Sequence, residues 1–272
     1  MEIFIFLISI LITVLTIPFI KEMLLSANIT KKNYKGDMIP VGMGIVFIPV
    51  SIMNSLLLSV TMGNNINDKG VLLIFLVGIM TMATIGLIDD LIGNRDSTGF
   101  KGHIKSLLKG KLTTGGFKAI IGGLISLLIG SLLSANIVEI LVNALIIALF
   151  TNLINLLDLR PGRSLKGFLC VSILFIIIGL QKEIRIILIS VIAYVIGYFP
   201  QDIKAKSMMG DVGSNTLGVV LGIVTAISFT LTLKYVILLL LILIHIVAEK
   251  YSITEIIKKN SVLNFIDELG RS

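Results

Sequence analysis

Two acidic motifs stand where long apolar runs end, Gly86-Leu87-Ile88-Asp89-Asp90 and Met209-Gly210-Asp211-Val212-Gly213-Ser214. An ionised Asp costs roughly 2.5 to 3.5 kcal/mol at the centre of a membrane helix, so acids kept at the rim of apolar spans point to chemistry at a membrane surface. Adjacent carboxylates about 4 Å apart repel by about 4 kcal/mol at an effective dielectric near 20. Both stay ionised only beside a cation or strong donors. A hard cation such as Mg²⁺, shared between one or two carboxylates and substrate phosphates, meets that need. Read alone, the Asp89-Asp90 pair is equally a solvated helix end neutralised by Arg95 and Lys101.

Asp211 has glycines on both sides, which let backbone approach a ligand, and a helix starting just beyond it would offer free N–H groups to an anion. Ser214 and Asn215 are equally good caps for such a helix, with Asp211 in its first turn. In Asn152-Leu153-Ile154-Asn155-Leu156-Leu157-Asp158 the polar residues recur at i, i+3, giving a stripe toward a bundle interior or wet cavity, or for helix-to-helix hydrogen bonds. Among the basic residues that follow Asp89-Asp90, Lys118 stands at the start of an apolar span and suits a phosphate, whereas Lys101, Lys105, Lys109 and Lys111 read as headgroup contacts. His103 reads as surface and His245 as a helix-to-helix hydrogen bond, too far apart for a histidine metal site. Cys170 alone permits no disulfide within the chain and reads as a small buried residue.

These groups need a membrane scaffold. The 272 residues are 56% hydrophobic and 14% charged, without Trp, and the mean hydropathy is +1.04, values of a polytopic membrane protein. The expected fold is an all-α transmembrane helix bundle of about nine spans: 2–20, 39–62, 70–88, 117–135, 137–157, 167–181, 184–200, 212–232 and 234–248. The sixth and seventh are short and closely linked through Gln181-Lys182-Glu183, so a single re-entrant hairpin is the alternative there. The first run carries Glu2 and no basic start, and reads as a retained span.

Alternating sides along nine spans leaves only Lys69, Lys182, Arg185 and Lys234 on one face and the other 19 of the 23 basic residues opposite. That places the N-terminus outside, the C-terminus in the cytoplasm and every acid of the motifs on the cytoplasmic face. The net charge of +7 then reflects topology and anionic lipid, and nucleic acid is excluded as a partner. Residues 1–248 read as one transmembrane domain. Residues 249–272, with a Ser252-x-x-Glu255 capping box and an apolar stripe, read as a cytoplasmic amphipathic helix on the membrane or the bundle.

Four stretches, Ile39 to Ile45, Asp89-Asp90, Asn152 to Asp158 and Met209 to Gly218, occur in an order that resembles the polyprenyl-phosphate N-acetylhexosamine-1-phosphate transferases. This is glycosyltransferase family 4, which includes the lipid I-forming phospho-N-acetylmuramoyl-pentapeptide transferase. The resemblance implies a Mg²⁺-dependent phosphotransferase of the cell membrane that moves a sugar-1-phosphate from a UDP-linked amino sugar to a polyprenyl phosphate, an initiating step of envelope glycan synthesis. It implies Asp211 as principal metal ligand assisted by Asp89 or Asp90, one of the Asp pair accepting the proton of the lipid phosphate. Asn152, Asn155 and Asp158 would shape the nucleotide and metal pocket, and Lys118 would hold a phosphate. Partners are then the membrane, a polyprenyl phosphate and a nucleotide sugar, and a homodimer is compatible with the chain.

The chain is a divergent and shortened member by this resemblance. Where the family continues Asp-Gly-x-Asp-Gly-Leu, the sequence reads Asp158-Leu159-Arg160-Pro161-Gly162-Arg163. Pro161 replaces an acid that helps recognise the nucleotide, while Arg160 and Arg163 bring two substrate-facing cations. Met208 stands where an aromatic residue often stacks on the base, and the late His-containing loop is absent. These departures motivate an alternative, a catalytically impaired relative that binds polyprenyl phosphate or nucleotide as a membrane partner or regulator. A solute transporter ranks last, because the polar motifs gather at one face rather than at span midpoints.

Overall fold

The computed structural model describes residues 1–61, 66–93, 102, 106 and 110–271. Its elements are α1 (Glu2–Ser26), a short antiparallel hairpin of β1 (Thr30–Lys32) and β2 (Met38–Pro40), a 3₁₀ turn (Met43–Val46), α2 (Phe47–Thr61), α3 (Ile66–Ile92), α4 (Thr114–Leu133), α5 (Ile137–Leu157), α6 (Arg163–Ile178), α7 (Lys182–Ile203), α8 (Gly210–Ser228), α9 (Leu231–Lys250), α10 (Ile253–Lys259) and α11 (Ser261–Glu268). The fold is an all-α bundle of the expected kind, and among the described residues eight helical stretches are long and apolar enough to cross a membrane, the 3₁₀ turn and α2 counting as one (Met43–Thr61). Of the nine expected spans the one that falls short is α6, whose 16 residues rise roughly 24 Å against a hydrocarbon core of about 30 Å. A break at 179–181 separates it from α7. Much of the basic loop, including Arg95, Lys101, His103, Lys105 and Lys109, lies outside the described residues.

The centre is α8, almost wholly buried and packed chiefly on α5 and α3. Close approach to α5 is possible because Gly218 and Gly222 present no side chain to the backbones of Thr151 and Ile147. With lipid outside as apolar as the core, such small-residue contacts and interhelical hydrogen bonds replace the hydrophobic drive of a soluble protein. The second layer pairs α1 with α7, and Phe47 at the start of α2 packs tilted against Tyr194 and edge-to-face against Tyr198 of α7, with ring centroids 4.5 and 5.6 Å apart.

Ion pairs sort by end of the bundle. At one end Arg185 binds Glu2 at 2.7 Å and Lys234 binds Glu139 at 3.0 Å. Two of the four basic residues on the sparsely charged face are thus neutralised by acids, which sharpens the charge asymmetry between faces. At the other end gather the ends of α3, α5 and α7 and the starts of α4, α6 and α8.

Several local expectations are corrected. The tail is two short helices rather than one, broken at Asn260, which caps α11 by accepting N–H bonds from Val262 and Leu263. Ser252 makes no capping bond. Cys170 is exposed on α6 rather than buried, and His245 bonds the Leu241 carbonyl of its own helix at 2.8 Å rather than a neighbour.

Candidate active site

The carboxylates of the sequence motifs converge at the basic end, and each element aims one of them. Successive residues of a helix diverge by about 100°, so Asp89 and Asp90 at the end of α3 face different partners. Asp89 receives the Lys118 ammonium at 3.4 Å. Lys118 lies in the second turn of α4, whose start is fixed by Thr113 accepting the Gly116 N–H at 3.0 Å. The same ammonium binds Asp211 from α8, so one cation joins two acids 122 positions apart in the sequence.

Asp90 has another task. Its two oxygens accept the N–H groups of Asp211 at 3.1 Å and Val212 at 3.2 Å, satisfying orphan donors at the start of α8 where the helix dipole also favours a carboxylate. The cap therefore comes from α3. Ser214 and Asn215, expected as caps, lie inside a helix that begins at Gly210. Gly210 adopts φ +74°, and a side chain there would meet the Asp90 carboxylate. Gly86, one turn before Asp90, faces the Asp211 carbonyl and the Val212 nitrogen, so any larger residue would push α3 from α8.

Asn155 donates to Asp211 and to the Asn215 oxygen, each at 3.0 Å, fixing the Asp211 carboxylate from a third helix. Asn152 is exposed on α5 and outside this network. Asp158, just past α5, accepts the Ser164 hydroxyl at 2.6 Å. Burial, reinforced by the charge of Asp202, pushes its carboxyl well above the usual carboxylate range, against the pull of Ser164.

A cleft of about 350 Å³ opens over these groups, with Asp89, Asp90, Asp158, Asp202 and Asp211 in its walls beside Arg160, Pro161 and Met208. Lys31 of β1 reaches the Asp90 carbonyl at 3.3 Å and also lines the cleft. Arg160 faces the cleft, but Arg163 is turned away. Its buried guanidinium forks onto Asp267 of α11 at 2.7 and 2.9 Å and donates to Thr254 at 2.9 Å. Sequence reasoning overlooked Asp202, which holds the Gly162 N–H at 2.6 Å and the Met209 N–H at 3.4 Å and so ties the two cleft loops together. An acid ending an apolar run was the available signal, the same that identifies Asp89.

The donor chemistry suits a hard divalent cation. Asp89 and Asp211 offer carboxylate oxygens that already converge on one positive charge, and among the described residues no three His, Cys, Asp or Glu side chains are arranged to enclose a metal ion by themselves. That is the donor set of Mg²⁺, which binds one or two carboxylates and keeps waters or phosphates, rather than of a protein cage for Zn²⁺ or Ca²⁺. Of the expected ligands Asp211, Asp89 and Asp90, the first two share the Lys118 cation, while each Asp90 oxygen accepts a backbone N–H of α8.

The model of glycosyl transferase family 4 matches residues 72–230, a stretch holding Asp89, Asp90, Lys118, Asn155, Asp158, Asp202 and Asp211. No characterised protein matches the chain at a significant level.

Proposed function

The chain belongs to glycosyl transferase family 4, whose members move a sugar phosphate onto a lipid carrier in the membrane, and we propose that it transfers a sugar-1-phosphate from a UDP-linked amino sugar to a polyprenyl phosphate at the cytoplasmic face. The observation that carries this reading is the meeting of Asp89 and Asp211 on the Lys118 ammonium beside the cleft. Phosphoryl transfer needs charge neutralisation and in-line placement more than covalent assistance, and a cluster of paired charges beside a cleft suits the first of these needs.

An oxygen of the polyprenyl phosphate forms a bond to the sugar-bearing phosphorus while the bond to the nucleoside monophosphate breaks. Asp89 faces the cleft and accepts a proton from the lipid phosphate. Asp90 is a positioning residue, since its carboxylate fixes the first turn of α8 and hence Asp211. Lys118 balances the two carboxylates before substrate arrives and turns to a phosphate oxygen when it is bound. Asn155 holds the Asp211 carboxylate in one orientation. Asp211 and Asp89 would hold a Mg²⁺, which would supply Lewis-acid neutralisation of the diphosphate. Arg160, which faces the cleft as Lys31 does, is a cation for a second anionic group of the donor.

The product class is an initiating lipid-linked intermediate of envelope glycan synthesis. A second reading, a relative that binds polyprenyl phosphate or nucleotide without turnover, is favoured by Pro161 and Met208 lining the cleft where related enzymes carry nucleotide-reading groups. Purified protein offered polyprenyl phosphate and a panel of UDP-sugars separates the two. Formation of a lipid-linked diphosphate sugar supports transfer, and lipid-phosphate binding without any product supports the second reading.

A further inference from the structure

Beside the cleft lies a second recess, of about 390 Å³, that the transfer reading does not use. It is lined by Lys21 and Leu25 of α1, by Asn33, Lys35, Asp37 and the strand Met38–Pro40, and by Lys204, Ala205 and Lys206 after α7. Four lysines thus surround one carboxylate, the Lys35 ammonium lying 5.6 Å from the Tyr34 ring centroid. None of the four lysines forms an ion pair among the described residues, and Asp37 is occupied by the Asn33 amide at 3.3 Å. An excess of like charge in one concavity is unfavourable unless an anion joins it.

The recess is built, not a chance scatter of surface lysines. Asn33 folds the hairpin loop by accepting the N–H groups of Lys35 and Asp37, each at 2.9 Å. Its amide also donates to the Ala205 carbonyl at 3.2 Å, stitching the two lysine-bearing walls together. Ala205 ends α7 in the left-handed region, with φ +49°, closed by Lys206 N–H to the Gln201 carbonyl at 2.9 Å and Ala205 N–H to the Asp202 carbonyl at 2.8 Å. Glycine is the usual residue at such a helix end, and alanine costs about 1 kcal/mol or more there. The strained turn sets Lys204 and Lys206 on either side of the recess wall, and strain of this kind gathers at binding sites.

We infer that this recess, walled by Lys21, Lys35, Lys204 and Lys206 around the Asn33–Ala205 bridge, binds a phosphate group distinct from those in the transfer cleft. Hydrated, mobile lysine ammoniums suit a phosphate presented in varied orientations, where a single bidentate pose would favour arginine. The position at the end of α1, with Leu25 beside Lys21, suits the headgroup of an anionic phospholipid. A free phosphate or nucleoside monophosphate shares the same chemistry. The inference is independent of the transfer reading.

The test uses full-length protein in nanodiscs of phosphatidylcholine with or without phosphatidylglycerol, retained phospholipid being counted by native mass spectrometry. A parallel arm titrates inorganic phosphate and nucleoside monophosphate into phosphatidylcholine nanodiscs, followed by ³¹P line broadening. The variants are Lys204→Gln/Lys206→Gln and Lys35→Gln, with Lys250→Gln/Lys259→Gln as a control elsewhere on the same face and Asp211→Asn to disable the cleft. Retention of phosphatidylglycerol, or binding of soluble phosphate, weakened roughly tenfold or more by Lys204→Gln/Lys206→Gln but unchanged in the control and in Asp211→Asn, supports the site. The arm that responds names the source. Absence of binding in both arms, or equal loss in the control, overturns it.

Discussion

Replacing Asp267 by Asn tests whether the C-terminal helices are a latch on the cleft rather than a loose tail. The Asp267 carboxylate receives the Arg163 guanidinium twice and Arg271 at 3.0 and 3.2 Å. The Arg163 and Asp267 side chains are each only 5% exposed. Arg271 also donates to the Pro161 carbonyl at 3.2 Å, and Lys166 donates to the carbonyls of Ile266 and Asp267 at 2.8 Å. Removing one partner of a buried pair costs about 3 to 5 kcal/mol, because the other charge is left without compensation. Here the unpaired arginine escapes by undocking α10 and α11 into water, so the loss falls on docking and not on global unfolding. A cost of about 3 to 5 kcal/mol lowers the docking equilibrium by roughly two to three and a half orders of magnitude. Hydrogen exchange is the assay: amides of 253–268, and of the 158–163 loop they brace, should lose protection while α8 keeps it. Unchanged protection in 253–268 would refute the reasoning. Paired arginines hold the Asp267 carboxyl below the usual carboxylate range. A depressed acid gives its full stabilisation above its unfolded pKa of about 4 and loses it only as pH falls through the lower folded value. Docking should therefore be indifferent to pH between about 7 and 5.

Other consequences are read more simply. Lys118→Met leaves Asp89 and Asp211 repelling without a cation, so its melting temperature should fall in chelator and rise with added Mg²⁺ by more than that of the parent protein, since binding to the folded state alone stabilises it. Equal responses would contradict the shared-cation assignment. Gly86→Ala drives a methyl into the Asp211 carbonyl region and should cost about 1 to 3 kcal/mol with loss of transfer, whereas Gly123→Ala, with nothing within 4 Å, should be neutral or stabilising by about 0.5 to 1 kcal/mol in a thermal melt. In a Cys170→Ala background, Lys182→Cys should react with an impermeant maleimide on intact cells and Lys206→Cys only after permeabilisation. The reverse pattern would invert the proposed sidedness.

The sequence made the site's acids legible for a physical reason. Carboxylates are so costly within a membrane that Asp89, Asp90 and Asp211 at span ends stand out without any knowledge of contacts. The same cost argument applies to Asp202, but the apolar run before it was read only as a span and its terminal acid was passed over. Spacing was a weaker guide. Three residues turn a helix by about 300°, so Asn152 and Asp158 are about 120° apart around α5, and the helix ends before Asp158. Asn155 reaches the site while Asn152 does not. Partners across the fold were invisible: nothing near Arg163 in the chain announces an aspartate 104 residues later, and no periodicity marks the three-residue strands that place Lys31 beside Asp90.

The claim at the centre of this account is that Asp211 and Asp89 form a metal-assisted transfer site. Release of nucleoside monophosphate from UDP-linked amino sugars by purified protein, with polyprenyl phosphate and with or without Mg²⁺, measures it most directly alongside Asp211→Asn. The expected release requires both the lipid phosphate and Mg²⁺ and falls at least about 100-fold in Asp211→Asn. Release that persists in Asp211→Asn, or that proceeds equally in chelator, would contradict it.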